Sequence, residues 1–263
     1  MIFAFALIIL TCLISYMGLT NEAFMNRYTF NVAKVSVEKE YIRLVSSGFL
    51  HISWLHLIVN MFVLFGFSKG FSDLNLGLVY FSSLIGGNLL ALWIHNHNPS
   101  YTSIGASGAV SGLVFATIAL TPQMPILFFI PGWVFGLAYV LYTIYAIRSR
   151  RTDVGHAAHL GGALIGMVVA LLLYPHKIVE NWLPILLIFL PALALIFIMI
   201  YKPELILIDK RSQTRQLTVD DRANMDLRTR KQEIDRILEK INERGIGSLS
   251  KKERKMLEDY SRQ

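Results

Sequence analysis

The sequence predicts an all-α fold: a polytopic membrane helix bundle over residues 1–201 and a soluble charged tail at 202–263. Three observations carry this. Hydrophobic residues make up 54% of the 263 and charged residues only 16%, which is too apolar for an ordinary soluble domain. Charge is also partitioned, since residues 1–201 hold 9 Lys/Arg and 6 Asp/Glu while the shorter remainder holds 16 and 12. Finally, apolar runs close to the ~20 residues that cross a bilayer recur along the first regime and stop at its end.

Seven such runs are read, at about 2–19, 53–71, 75–95, 104–121, 126–147, 157–174 and 182–201. The first has no basic leader and no small-residue cleavage site, so it is expected to stay as a span. Residues 20–50 form a long first loop in which apolar residues are spread among charges, as in a segment lying in the membrane interface. The fourth and sixth runs carry Gly105, Gly108 and Gly112, then Gly161, Gly162 and Gly166. Small residues at such spacing let helix backbones approach closely in lipid, so Gly105, Gly108, Gly112, Gly162 and Gly166 are expected to pack these two helices against each other or against a shared neighbour. A short loop at 148–156 precedes the sixth run. Pro184 and Pro191 interrupt the seventh, and full crossing there is left open.

The tail reads as a helix–turn–helix at about 226–261. Ile234, Leu238 and Ile241 share a face, Gly245 marks a stop, and Ser250 with Glu253 forms a capping box ahead of Met256 and Leu257.

Composition excludes several function classes. The net charge of +7 comes with tail basic residues alternating with acidic ones and almost no interleaved aromatics, so no nucleic-acid partner is expected. Seven histidines are present, including His95-Asn-His97 and His156-Ala-Ala-His159, but there is no HExxH and no carboxylate beside them within a span. No metal and no cofactor are therefore expected. The single cysteine, Cys12, cannot form an intrachain disulfide.

Polar side chains inside a membrane are costly and usually functional. The second span opens with His51, His56 and Asn60, the last two on one helix face; the fourth opens on Ser107; the sixth opens with His156 and His159. Spans two, four and six run in the same direction, so their opening residues lie at similar depth on one side. His56, Asn60, Ser107 and His159 are thus gathered into one layer. A serine hydroxyl needs a base, and neutral histidine is suited to that task. The amide of Asn60, the ring of His56 and the Ser107 backbone N–H are expected to form an oxyanion hole. No Asp or Glu occurs in these spans, so a Ser107–His159 dyad is expected rather than a triad. His156 reads as a loop residue, and His51 as too distant to matter as much as His56.

These residues resemble the signature of the rhomboid family: His56-Leu-Ile-Val-Asn60 on the second helix, Gly105-Ala-Ser107-Gly108 at the head of the fourth and Ala158-His159-Leu-Gly-Gly162 on the sixth, within about residues 40–175. The resemblance implies a six-helix core over residues 1–178, with 179–201 as an additional span outside it, and an intramembrane serine endopeptidase that cleaves transmembrane protein substrates in or near their helices. It assigns nucleophile and base to Ser107 and His159, and the oxyanion hole to His56 and Asn60. Ile42 stands where the family commonly has tryptophan, and Ser111 where some members carry a tyrosine stacking on the catalytic histidine. Two other readings compete, a non-catalytic relative that binds membrane proteins and a transporter with a polar midplane site. The first typically lacks the serine or histidine kept here, and the second predicts internal repeats that are not seen.

Orientation is read from two conflicting signals. Loops one, three and five carry Arg27, Lys34, Lys39, Arg43, Arg148, Arg150 and Arg151, against Lys69 and Lys177 on the other side, so the positive-inside rule places the polar layer in the cytoplasm. The resemblance implies the reverse, and the expectation follows it: a multi-pass protein of the cell membrane with an active site opening to the extracytoplasmic side. Oligomeric state is not readable.

Overall fold

The protein is described by a computed structural model that covers residues 1–126, 129–148 and 155–201, and in the tail Ile237, Lys240, Ile241, Leu249, Ser250 and Glu253. The chain divides into two compact units, Met1–Ile206 and Leu207–Gln263.

In the first unit, α1 (Ile2–Thr20) is followed by a folded loop holding α2 (Glu22–Tyr28), α3 (Val32–Ser36) and α4 (Arg43–Ser46). The longer helices α5 (Trp54–Ser68), α6 (Asp73–Ile94), α7 (Ser107–Leu120), α8 (Gly132–Arg148) and α9 (His156–Leu173) come next, then the short α10 (His176–Glu180) and the long α11 (Trp182–Tyr201). Two antiparallel pairs of two-residue strands tie loops together: β1 (Phe30–Asn31) with β2 (Thr102–Ser103), and β3 (Pro125–Ile126) with β4 (Ile130–Pro131). Several starts are set by side-chain caps. Asn21, Asn31, Ser53 and Ser72 each accept a backbone N–H three residues on, which fixes where α2, α3, α5 and α6 begin.

The seven apolar runs each contain a helix of at least 14 residues, but they are not equal as spans. Ile2–Thr20, Asp73–Ile94 and His156–Leu173 are long and apolar enough to cross a bilayer, and Arg43–Phe49 with Trp54–Ser68 makes a fourth as a pair bent by 98°. Helix α7, at 14 residues, reaches about 21 Å, short of a hydrocarbon core of about 30 Å. It tolerates this because its neighbours, not lipid, surround it: ten of its residues are buried.

Helices α6, α7 and α9 form the centre of the unit, and α7 and α9 touch backbone to backbone. A Cβ added at Gly162 would stand 2.0 Å from the Gly108 carbonyl oxygen, and one at Gly166 would stand 2.2 Å from that of Gly112. Glycine alone allows this approach, and of the two arrangements the spacing permits, direct packing is the one formed, with α6 as a shared neighbour besides. Helix α6 joins through Ser83, against Gly112, and Gly87, against the Ala158 carbonyl. Around the centre, α1 and α5 bury Leu7, Leu57, Met61 and Leu64 against α6 and α7, while α8 and α11 bury Val140, Ile188 and Ala192 against α7 and α9. Outward faces stay apolar, as Leu55, Ile58, Val59 and Phe62 of α5 show, and are suited to lipid.

The first loop is a built element. Arg43 is buried; its guanidinium donates to Glu40 at 2.5 Å and to the carbonyls of Asn26 and Thr29 at 2.8 and 2.6 Å, closing the loop on itself. The Arg43 guanidinium also holds the Glu40 carboxyl below the usual carboxylate range. Phe30, Val32 and Val35 then pack on Ala91, Ala157 and Ala158 at the ends of α6 and α9.

In the second unit the Ser250 N–H donates to the Glu253 carboxylate at 2.7 Å while the Glu253 N–H donates to Ser250 Oγ at 3.3 Å, the reciprocal box expected from sequence. Lys240 donates to the same carboxylate, and Ile237 is buried. Ile234, Leu238, Gly245, Met256 and Leu257, which the sequence reading also used, lie outside the described residues.

Candidate active site

The polar residues converge where α5, α7 and α9 begin. Ser107 is the first residue of α7 and His159 the fourth of α9. The Gly108–Gly162 contact brings these helix starts together, and His159 Nε2 lies 2.6 Å from Ser107 Oγ. That distance is a short hydrogen bond between a hydroxyl and an imidazole nitrogen. Both side chains are half-buried.

The turn ahead of Ser107 has a shape that sequence enforces. Gly105 has φ of +121°, a conformation that L side chains rarely adopt and only with strain. A Cβ there would also stand 2.7 Å from His56 Cε1 and 3.0 Å from Nε2, with Ser107 Oγ at 3.5 Å from the same point. The absence of that Cβ lets the His56 ring lie beside the serine. Ser53 caps α5 through the His56 N–H and starts the helix there. Asn60, one turn on, is buried and donates from Nδ2 to the His56 carbonyl at 2.8 Å. One of its two amide protons remains for another acceptor. At the start of α7, the Ser107 N–H is among the donors that a helix leaves without an intrahelical partner.

Two histidines differ from their sequence reading. His156 was expected in a loop; it opens α9 and is 8% exposed. Its ring stands edge-on to Tyr142 of α8 at 5.8 Å and edge-on to His159 at 6.3 Å. Ser111 does not leave its place empty, because its Oγ bonds to the Tyr139 hydroxyl of α8 at 3.2 Å. Helix α8 therefore places one tyrosine hydroxyl, that of Tyr139, beside Ser111, where the family resemblance implies a tyrosine from α7 itself. His51 was discounted, yet it is fully buried and accepts the Ala106 N–H on Nε2 at 3.3 Å. It precedes the bend at which α5 starts, and an apolar run carries no signal of that bend. Elsewhere, His95 ends α6 stacked on Tyr101 at 3.7 Å, and no group of three or more metal-ligating side chains occurs among the described residues.

The profile of the Rhomboid domain matches residues 38–176, more than half of the chain. The chain belongs to the rhomboid family. It is 32% identical over 152 residues to Rhomboid protein 1, mitochondrial, of Saccharomyces cerevisiae, covering 50% of this chain and 43% of that one. It is 29% identical over 174 residues to the rhomboid protease AarA of Providencia stuartii, covering 56% and 62%. Rhomboid-like protein 11, chloroplastic, of Arabidopsis thaliana is 31% identical over 150 residues, covering 51% and 52%. The chain thus spans about half the length of these curated relatives. Residues 217–263 match a separate family of unknown function (DUF6576). Family and apolar helices together make this a multi-pass membrane protein.

Proposed function

We propose that this rhomboid-family protein is an intramembrane serine endopeptidase in which Ser107 is the nucleophile and His159 the base. The observation that carries the reading is the 2.6 Å contact between Ser107 Oγ and His159 Nε2. To accept the hydroxyl proton, Nε2 must be bare, so His159 is neutral with its proton on Nδ1. Ser107 Oγ attacks the carbonyl carbon of the scissile peptide as its proton passes to Nε2. The carbonyl oxygen becomes an oxyanion, stabilised by the Ser107 N–H, the His56 ring and the Asn60 amide. Collapse breaks the C–N bond, and the His159 proton goes to the departing amine, leaving an acyl-serine. Water then attacks the ester, His159 again taking and returning the proton.

The short α7 supports an intramembrane site, because a helix of 14 residues cannot hold both ends at the two surfaces. Substrates are taken to be transmembrane proteins whose helices unwind locally, since a helical peptide bond is shielded by its own backbone. The division of labour follows: 1–178 as protease core, 179–201 as an added span, 202–263 as a soluble tail. The test is incubation of the purified chain with a model transmembrane substrate and mapping of the cut bond. Cleavage at one site that needs Ser107 supports the reading; an uncut substrate contradicts it.

His56→Ala and Asn60→Ala should each reduce turnover about a hundredfold, the cost of one oxyanion donor, measured as kcat on that substrate. We also place the site on the extracytoplasmic side of the cell membrane. The folded first loop supports this, since Arg43 spends its charge inside the loop rather than as a free topology signal. A cysteine at the exposed His97, with Cys12 replaced, should react with membrane-impermeant maleimide in intact cells. Labelling only after permeabilisation reverses the orientation without touching the dyad.

A further inference from the structure

A buried chain of hydrogen bonds runs from α1 to the turn that carries Ser107. Ser15 Oγ donates to the Phe49 carbonyl at 2.8 Å and lies 2.9 Å from His51 Nδ1. On the other side of the ring, Nε2 accepts the Ala106 N–H at 3.3 Å. Ser15, His51 and Ala106 are all fully buried, so none of these groups has water as a substitute partner.

The protons in this chain can be placed from both ends. A backbone N–H only donates, so Nε2 of His51 carries no proton. The single hydroxyl proton of Ser15 goes to the Phe49 carbonyl, so the Ser15–His51 bond must use a proton on Nδ1. One neutral tautomer satisfies every group; a proton on Nε2 would oppose two N–H donors. The adjoining N–H, of Gly105, donates to the Ser47 carbonyl at 3.0 Å. Asn88 of α6 holds that segment in turn, donating to the Leu44 carbonyl at 2.8 Å and to Ser47 Oγ at 3.1 Å. Both N–H groups ahead of Ser107 are therefore tied to the segment before α5. His51 also stands edge-on to His56, with ring centroids 4.8 Å apart.

We propose that His51 is a positioning residue: held as the Nδ1–H tautomer by Ser15, it fixes the Gly105–Ala106 turn and with it the Ser107 Oγ and backbone N–H. This rests on the reading of Ser107 as nucleophile. His51 touches no reacting atom and acts through Ala106.

The experiment compares the full-length chain carrying His51→Leu, His51→Gln, Ser15→Ala or His51→Leu with Ser15→Ala. Substrate cleavage is followed, and ¹⁵N spectra of the labelled histidines are recorded on the unmodified protein. His51→Leu should lower kcat about a hundredfold, as misplacement of a reacting group does, with KM changed by no more than about threefold. Gln, whose Oε1 can accept the Ala106 N–H, should recover most of the loss. Ser15→Ala should cost about tenfold alone and nothing further beside His51→Leu, because the two act as one unit. The spectra should show a pyrrole-type Nδ1 and a pyridine-type Nε2 for His51. Equal impairment by Leu and Gln, a rise in KM at unchanged kcat, or a protonated Nε2 would each overturn the proposal. If His51→Leu does not fold, the tautomer and Ser15→Ala still decide. If the unmodified chain cleaves nothing through Ser107, the nucleophile reading fails, and the spectra report separately on His51.

Discussion

Alanine at Ser107 or at His159 is expected to abolish cleavage, a fall on the order of 10⁴-fold or more. The two changes should cost no more together than either does alone. Without Oγ there is no atom to form the acyl bond, and without Nε2 the hydroxyl keeps its proton and stays a poor nucleophile. Each residue is thus useless without the other. Purified single and double variants, assayed on one transmembrane substrate with thermal melting as a control for folding, check this. Substantial proteolysis by Ser107→Ala would remove the mechanism. Cleavage should also survive metal chelators, since the proton transfers are assigned to His159.

Gly162→Ala should be as damaging by a different route. The new methyl would sit 2.0 Å from the Gly108 carbonyl oxygen and 2.7 Å from its carbon. That obstacle is backbone rather than a flexible side chain, so α7 and α9 must separate. The expected loss is about 3 kcal/mol, at the upper end of core overpacking, and activity should fall with it. The same helix shift would carry His159 away from Ser107, because Gly108 and Gly162 are one and three residues from the pair. Gly66→Ala is the matched control. No heavy atom lies within 4 Å of its added Cβ, so the change should stabilise α5 by about 0.5–1 kcal/mol through helix propensity. Urea or thermal unfolding in one detergent compares them; equal stability of the two variants would show that the glycine contact carries no packing load.

Much of this architecture is legible in the chain because lipid makes the physics one-sided. Each apolar run has to satisfy its own backbone, so each contains a helix, and the run boundaries fall near the helix ends except in the fifth, which opens in the β3–β4 pair ahead of α8. The alternation of direction then brings the starts of α5, α7 and α9 to one level, which is why Ser107, His159 and His56 meet. The glycines at 108, 112, 162 and 166 mark two helices that allow close approach, though not whether they meet each other or a shared neighbour. What is less legible depends on local geometry. The seven runs look alike in composition, but α7 is a short helix shielded by neighbours. His51 looks like one more turn of the second span, whereas the chain bends by 98° between α4 and α5 and returns its ring to the serine turn. His156 sits next to a polar loop in sequence, yet α9 starts on it, and its ring packs against Tyr142. Tyr139 reaches Ser111 from a helix whose rotation no periodicity in a uniformly apolar run can fix.

The central claim is that His159 activates Ser107 as a nucleophile, and a fluorophosphonate probe tests it without needing a known substrate. The membrane-embedded chain is treated with the probe, digested, and its serine adducts are located by mass spectrometry. The account requires a single adduct on Ser107, lost in Ser107→Ala and strongly slowed in His159→Ala. An unmodified Ser107, or an adduct whose rate ignores His159, would contradict it.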